Sequence, residues 1–209
     1  MRLGIFGGTF DPPHLGHLIL AAECFDQLAL DKILWVVTPN PPHKNGWLIS
    51  PVKYRLAMVK LAIADSGVFE VSMVDVNRPS PHYAVDTVKL LSQEYPEARL
   101  VYLMGGDSLH DLPDWHYPEK LLDAVDELGV MRRPGDDIDL DALAKQLPGV
   151  RSKVCFVEAP LLEISARQIR LRVMQCRPYR YYLPSKVYQF IQTYGLYSEN
   201  TEDECSQKL

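Results

Sequence analysis

Short apolar runs alternate with longer amphipathic stretches along almost the whole chain, and this rhythm restricts the fold more than any other feature. Residues 3–6, 33–37, 69–74, 100–104, 127–131 and 154–157 have the length and apolar content of buried strands. Between them, residues 18–30 place Leu18, Ala21, Ala22, Phe25 and Leu28 at helical spacing. Residues 51–64 and 84–94 read as further helices, the first with Ser50 as a cap and Pro51 in its first turn. Strand–helix alternation implies parallel strands joined by right-handed crossovers, with helices on both faces. The expectation is therefore an α/β, Rossmann-like doubly wound parallel sheet of about six strands. In such sheets ligands bind beyond the carboxyl ends of the strands, where the strand order reverses. Two glycine pairs, Gly7-Gly8 and Gly105-Gly106, each follow a strand and belong on that edge.

The end of the chain reads as a helical portion, residues 164–197, in which Ser185 caps a segment that stops at Gly195. The stretch 198–209 is polar and acidic and is predicted to be a disordered tail, leaving 1–197 as one domain. Residues 136–141 form an acidic connector, expected to be a solvated loop.

Composition narrows the function. A net charge of −5 argues against a general nucleic-acid binder, which carries a basic face. Cys24, Cys155, Cys176 and Cys205 are far apart and form no CxxC pair, so free thiols are expected. The start of the chain shows no signal-sequence pattern, and no apolar run is long enough to span a bilayer. These features lead to the expectation of a cytoplasmic enzyme.

The segment with the most chemistry is Gly7-Gly8-Thr9-Phe10-Asp11-Pro12-Pro13-His14-Leu15-Gly16-His17. Its glycines let the backbone turn sharply and approach a ligand, and the prolines stiffen the loop. A helix starting near Leu15 aims its N-terminal N–H groups at the strand ends, where they suit an anion. His14 and His17, three apart, share one face of that first turn. Two imidazoles there suit a phosphate chain whose charge grows during reaction. Neither GxxxxGK[ST] nor GxGxxG is present. His-x-x-His could hold zinc only with further ligands, and His43, His82, His110 and His116 lack metal-like spacing.

This segment resembles the HxGH signature of a superfamily of Rossmann-like nucleotidyltransferases, in the form found in the bacterial nicotinate-nucleotide adenylyltransferases. The resemblance continues in order along the chain. It takes in Pro39-Asn40-Pro41-Pro42-His43-Lys44, Gly105-Gly106-Asp107-Ser108, Trp115, Arg132-Arg133-Pro134-Gly135, and Ile164-Ser165-Ala166-Arg167-Gln168-Ile169-Arg170. It implies transfer of AMP from ATP to nicotinate mononucleotide, with magnesium carried by ATP and no metal bound directly by protein. His14, His17 and Arg170 are the implied catalytic residues. Gly7, Gly8, Thr9, Phe10, Gly105, Asp107, Arg133, Ile164 and Ser165 would join them in binding ATP.

For the mononucleotide the resemblance implies Lys44, Tyr83, Thr87 and Trp115. Tyr83 and Thr87 lie in His82-Tyr83-Ala84-Val85-Asp86-Thr87, which partly matches the family's S-Y-T-x-x-T stretch. Trp115 would stack on the pyridine ring, and Asp107 would suit a ribose hydroxyl or a magnesium-bound water. The family carries a hydroxyl residue where Arg167 stands. Arg55 reads equally as a surface charge or as a support for the Lys44 loop. The implied partners are small molecules, ATP and nicotinate mononucleotide, with no nucleic acid, no membrane and a possible homo-oligomer. The rival readings are a sister enzyme acting on phosphopantetheine or glycerol phosphate, and a nucleotide sensor without turnover.

Overall fold

The computed structural model describes residues 1–41, 49–132, 138–160 and 162–198. Six strands form one sheet: β1 (Arg2–Gly8), β2 (Lys32–Val37), β3 (Phe69–Ser72), β4 (Arg99–Gly105), β5 (Glu127–Arg132) and β6 (Val154–Glu158). Their order is β3-β2-β1-β4-β5-β6 and every neighbouring pair is parallel. This is the doubly wound order expected from the alternation, and it puts the reversal between β1 and β4. β3 stops two residues earlier than predicted, where the Val74 N–H bonds to the Ser72 hydroxyl (3.3 Å) and turns the chain.

The helices are α1 (Leu15–Gln27), α2 (Val52–Ile63), α3 (Ala84–Glu94), α4 (Gly106–His110), α5 (Pro118–Ala124), α6 (Leu140–Gln146), α7 (Val150–Lys153), α8 (Ala166–Met174) and α9 (Ser185–Thr193). α1 begins at Leu15, as expected, and ends before residue 30, because Ala29 adopts a left-handed backbone (φ 46°). Pro51 caps α2 rather than opening it, and Pro184 rather than Ser185 caps α9. The acidic connector is not all loop. Asp139 accepts the Asp141 and Ala142 N–H groups (3.0 and 2.9 Å) and so starts α6.

Alternation along the strands sends side chains to two apolar layers. Leu3, Ile5, Leu34, Val36, Leu100, Tyr102 and Met104 face the layer shared with Val88 and Leu91 of α3 and with Leu121 of α5. Phe6, Ile33, Trp35, Val37, Val101 and Leu103 face the opposite layer, with Ala21 and Cys24 of α1 and Val59 of α2. A third cluster joins Met58 of α2 to Ile169 and Val173 of α8 and to Val187 and Ile191 of α9. It brings the helical end of the chain back against the sheet domain. Cys24 and Cys155 are free thiols, but Cys176 is disulfide-bonded, which corrects the expectation of four free thiols. Among the described residues no helix is long and apolar enough to cross a membrane. Of the predicted tail 198–209, all but Ser198 lies outside the described residues.

Candidate active site

A cavity of about 780 Å³ opens at the carboxyl ends of β1, β4 and β5. That volume is within the range of sites for small organic ligands. Its walls include Gly7, Gly8, Phe10, His14 and His17 from the first strand and loop, and Gly105, Asp107 and Trp115 from the fourth. Ile164 and Ser165, at the start of α8, close the opposite side. Two helices of more than two turns, α1 and α8, thus begin at one cavity, and both bring free N–H groups and a positive dipole end. Ser165 caps α8 as predicted, accepting the Gln168 N–H (3.2 Å).

The loop between β1 and α1 is propped from the core. Phe10 is buried with a left-handed backbone (φ 49°), and its ring lies 5.3 Å from Phe6 and 5.1 Å from both Trp35 and His17. A Cβ on Gly8 would approach the Phe10 ring to 2.8 Å, so only glycine admits this fold-back. The centroids of the two histidine rings lie 3.7 Å apart, with the ring planes tilted by 33°. The His14 N–H donates to His17 Nδ1 (3.1 Å). A neutral His17 that accepts at Nδ1 carries its proton on Nε2, which makes that nitrogen a donor. The return contact to the His14 ring falls short of a hydrogen bond, because the His17 N–H donates to the His14 carbonyl instead (2.9 Å). His14 Nδ1 is therefore buried with no hydrogen-bond partner among the described residues. Burial lowers the His14 pKa to about 4, so the ring is neutral near pH 7. A Cβ on Gly16 would come within 3.1 Å of that Nδ1, which explains the glycine between the histidines.

Arg170 reaches the same loop from α8, donating to the Asp11 carbonyl (2.7 Å). Arg55 is not a surface charge. It is 1% exposed and donates to four carbonyls: Ser50 (2.8 Å), Thr9 (2.8 Å), Thr38 (2.9 Å) and Pro39 (2.7 Å). Of the two readings of Arg55, support for the loop after β2 is the one the geometry favours. Desolvation lowers its pKa, and the nearby Asp11 raises it again.

Two predicted mononucleotide residues, Thr87 and Tyr83, are not among the residues that line the cavity. The Thr87 hydroxyl is buried, donates to Asp75 (2.8 Å) and accepts from Arg78 (3.1 Å). The Tyr83 ring stacks on His116 at 3.9 Å. Trp115 lies on the wall with its ring edge-on to Tyr102. Thr9 meets the site through its carbonyl bond to Arg55, Arg167 is exposed and off the wall, and Lys44 and Arg133 lie outside the described residues. Among the described residues no three or more His, Cys, Asp or Glu side chains converge as a metal site.

Sequence reasoning gave Asp11 and Tyr197 no role. The Asp11 carboxylate, 4% exposed, accepts the Tyr197 hydroxyl (2.7 Å) and the Ser50 N–H (3.1 Å). Burial and then the Asp11 charge push the Tyr197 hydroxyl far above its ordinary pKa, so it stays a donor. The available signal was weak: a carboxylate inside a Gly/Pro loop, and a lone aromatic after Gly195 where the sequence turns polar.

The fold is Rossmann-like, and its cavity, at which two helix N-termini meet, lies at the switch point of the sheet. Residues 5–172 match the cytidylyltransferase-like family. A protein of Thermomicrobium roseum named "Probable nicotinate-nucleotide adenylyltransferase" is 47% identical over 94% of this chain and 91% of its own length. The nicotinate-nucleotide adenylyltransferase of Bacillus subtilis is 36% identical over 94% of this chain and 98% of its own. The chain belongs to the nicotinate-nucleotide adenylyltransferase family. The fold also matches the nicotinic acid mononucleotide adenylyltransferase of Plasmodium falciparum complexed with APC, at a TM-score of 0.75 and 19% identity, covering 94% of this chain and 96% of that one.

Proposed function

We propose that this chain transfers the adenylyl group of ATP to nicotinate mononucleotide, giving deamido-NAD and pyrophosphate in NAD biosynthesis. The observation that carries the reading is the pair of adjacent imidazoles at the start of α1, lining a cavity that the start of α8 also lines. A 5′-phosphate oxygen of the mononucleotide forms a bond to the α-phosphorus of ATP, and the bond from that phosphorus to the bridging oxygen of the β-phosphate breaks. A phosphate monoester is already ionised near neutral pH, so the step needs no general base and no covalent enzyme intermediate. Alignment and charge stabilisation supply the catalysis.

His17 donates from Nε2 to the α-phosphate, and neutral His14 fixes the phosphates without adding a charge. Arg170 stabilises the charge that builds on the leaving pyrophosphate. Gly7, Gly8, Phe10, Gly105, Ile164 and Ser165 shape the ATP side, with Thr9 and Arg133 in support. Trp115 stacks on the pyridine, with Lys44, Tyr83 and Thr87 completing the mononucleotide side. Magnesium bound to the triphosphate would offset its charge. The hard carboxylate oxygens of Asp107 on the cavity wall fit a water on that ion or a ribose hydroxyl.

The reading takes residues 1–197 as one catalytic unit, supported by the packing of α8 and α9 on α2. It also takes the reaction to be cytoplasmic. The test is pyrophosphate release from magnesium-ATP with a panel of acceptors. Nicotinate mononucleotide should be preferred over nicotinamide mononucleotide, phosphopantetheine and glycerol phosphate. Release with one of the last two alone would move the chain to a sister activity, and binding without release would make it a sensor.

A further inference from the structure

We infer that Tyr197 is a positioning residue for the phosphate-binding loop, acting through the Asp11 carboxylate; the inference rests on the proposed adenylyl transfer. Tyr197 lies beyond α9, far in sequence from the loop after β1, yet its hydroxyl donates to Asp11 Oδ1 (2.7 Å). The other carboxylate oxygen takes the Ser50 N–H (3.1 Å), and the Asp11 carbonyl takes Arg170 (2.7 Å). One loop residue therefore joins the segment after α9, the start of α2 and the arginine of α8. Arg55 grips the same region from α2, through the carbonyls of Thr9 and Ser50.

The backbone at Tyr197 supports a specific role rather than incidental packing. Its φ of 67° is left-handed, a conformation that is costly for a bulky residue and persists only where the surroundings impose it. The ring also packs against the cluster that holds α2, α8 and α9 together. Without the hydroxyl, a buried carboxylate loses one of its two described donors on a loop that lines the cavity. The loop backbone and Arg170 would then sit less firmly against the phosphates.

The contrast between phosphate and base binding separates positioning from stability. Tyr197→Phe keeps the ring and deletes only the oxygen. It is measured beside Asp11→Asn and the double variant, with thermal melting to fix the folded fraction. The readouts are calorimetric affinity for a non-hydrolysable α,β-methylene ATP, affinity for adenosine, and the kcat of adenylyl transfer. Tyr197→Phe should bind the ATP analogue about tenfold more weakly, with adenosine affinity within twofold, and should lose at least tenfold in kcat. The two single substitutions should be strongly non-additive, because one acts through the other. Unchanged analogue affinity in folded Tyr197→Phe, an equal loss for adenosine, or additive effects would overturn the inference. Should Tyr197→Phe not fold, Asp11→Asn carries the same contrast alone. A wild-type protein that binds the analogue without turnover would remove the proposed reaction, while the affinity contrast still decides the role of Tyr197.

Discussion

Arg55→Met removes a guanidinium and keeps most of the apolar stem, so its consequences can be worked out bond by bond. The wild-type side chain is 1% exposed and its four hydrogen bonds run between 2.7 and 2.9 Å. Losing the donor strands the carbonyls of Thr9, Thr38, Pro39 and Ser50, each at a cost of about 1–3 kcal/mol if it stays dry. It also removes a cation whose charge attracts the Asp11 carboxylate, which adds to the loss. These costs overlap, and water entering the gap recovers part of them, so the expected net loss is about 4 kcal/mol. Against a typical stability of about 5–15 kcal/mol, that is a large fraction. At about 2–4 °C per kcal/mol for a chain of this size, the melting temperature should fall by roughly 10 °C. Differential scanning calorimetry at neutral pH reads the shift directly. Arg55→Lys should recover part of it, since an ammonium offers three donors from a point charge. A shift of under about 2 °C for Arg55→Met would refute the idea that this arginine ties the two loops together.

Gly16→Ala should separate stability from activity: alanine favours the helix by about 0.5–1 kcal/mol, but its Cβ would sit 3.1 Å from His14 Nδ1. Melting temperature should hold or rise while kcat falls at least tenfold, and an unchanged kcat would show that the His14 ring need not keep its place. Acid should weaken the fold through His14, whose folded pKa of about 4 lies below the ordinary 6.5. The stabilising contribution is complete above pH 6.5 and is lost as pH falls toward 4, because the unfolded chain takes up the proton first. The gap corresponds to about 3 kcal/mol. The difference in unfolding free energy between wild type and His14→Asn should follow that window, and a flat difference would contradict the buried neutral ring. Trp115→Ala should raise the KM for the mononucleotide about tenfold through lost stacking and area, with the KM for ATP within about threefold. Equal losses for both substrates would count against stacking.

The sheet was legible because strand periodicity and glycine punctuation agree. Ile33, Trp35 and Val37 face one layer and Leu34 and Val36 the other, as a strand buried on both faces requires. The glycine pairs fall on the ligand edge for the same reason. Helix ends were less legible, since Ala29 takes a left-handed turn without the glycine that would have announced it. The short helices α4 to α7 carry too few turns for a clear period. In the site, the juxtaposition of His14 and His17 and the Ser165 cap could be read locally because those contacts span three residues. Arg55, Asp11 and Tyr197 could not, because their partners lie up to 186 residues away in the chain. A charged side chain in a sequence looks solvated until the fold closes over it, and Arg55 is the instance here.

Tracing the α-phosphorus tests the central claim most directly. Purified protein is given magnesium-ATP labelled at that phosphorus together with nicotinate mononucleotide, and the products are separated by chromatography. The account predicts label in a dinucleotide, matched one for one by unlabelled pyrophosphate, and at least a hundredfold slower with His17→Ala. Label recovered only as ADP or AMP, or a His17→Ala rate within a few-fold of wild type, would contradict it.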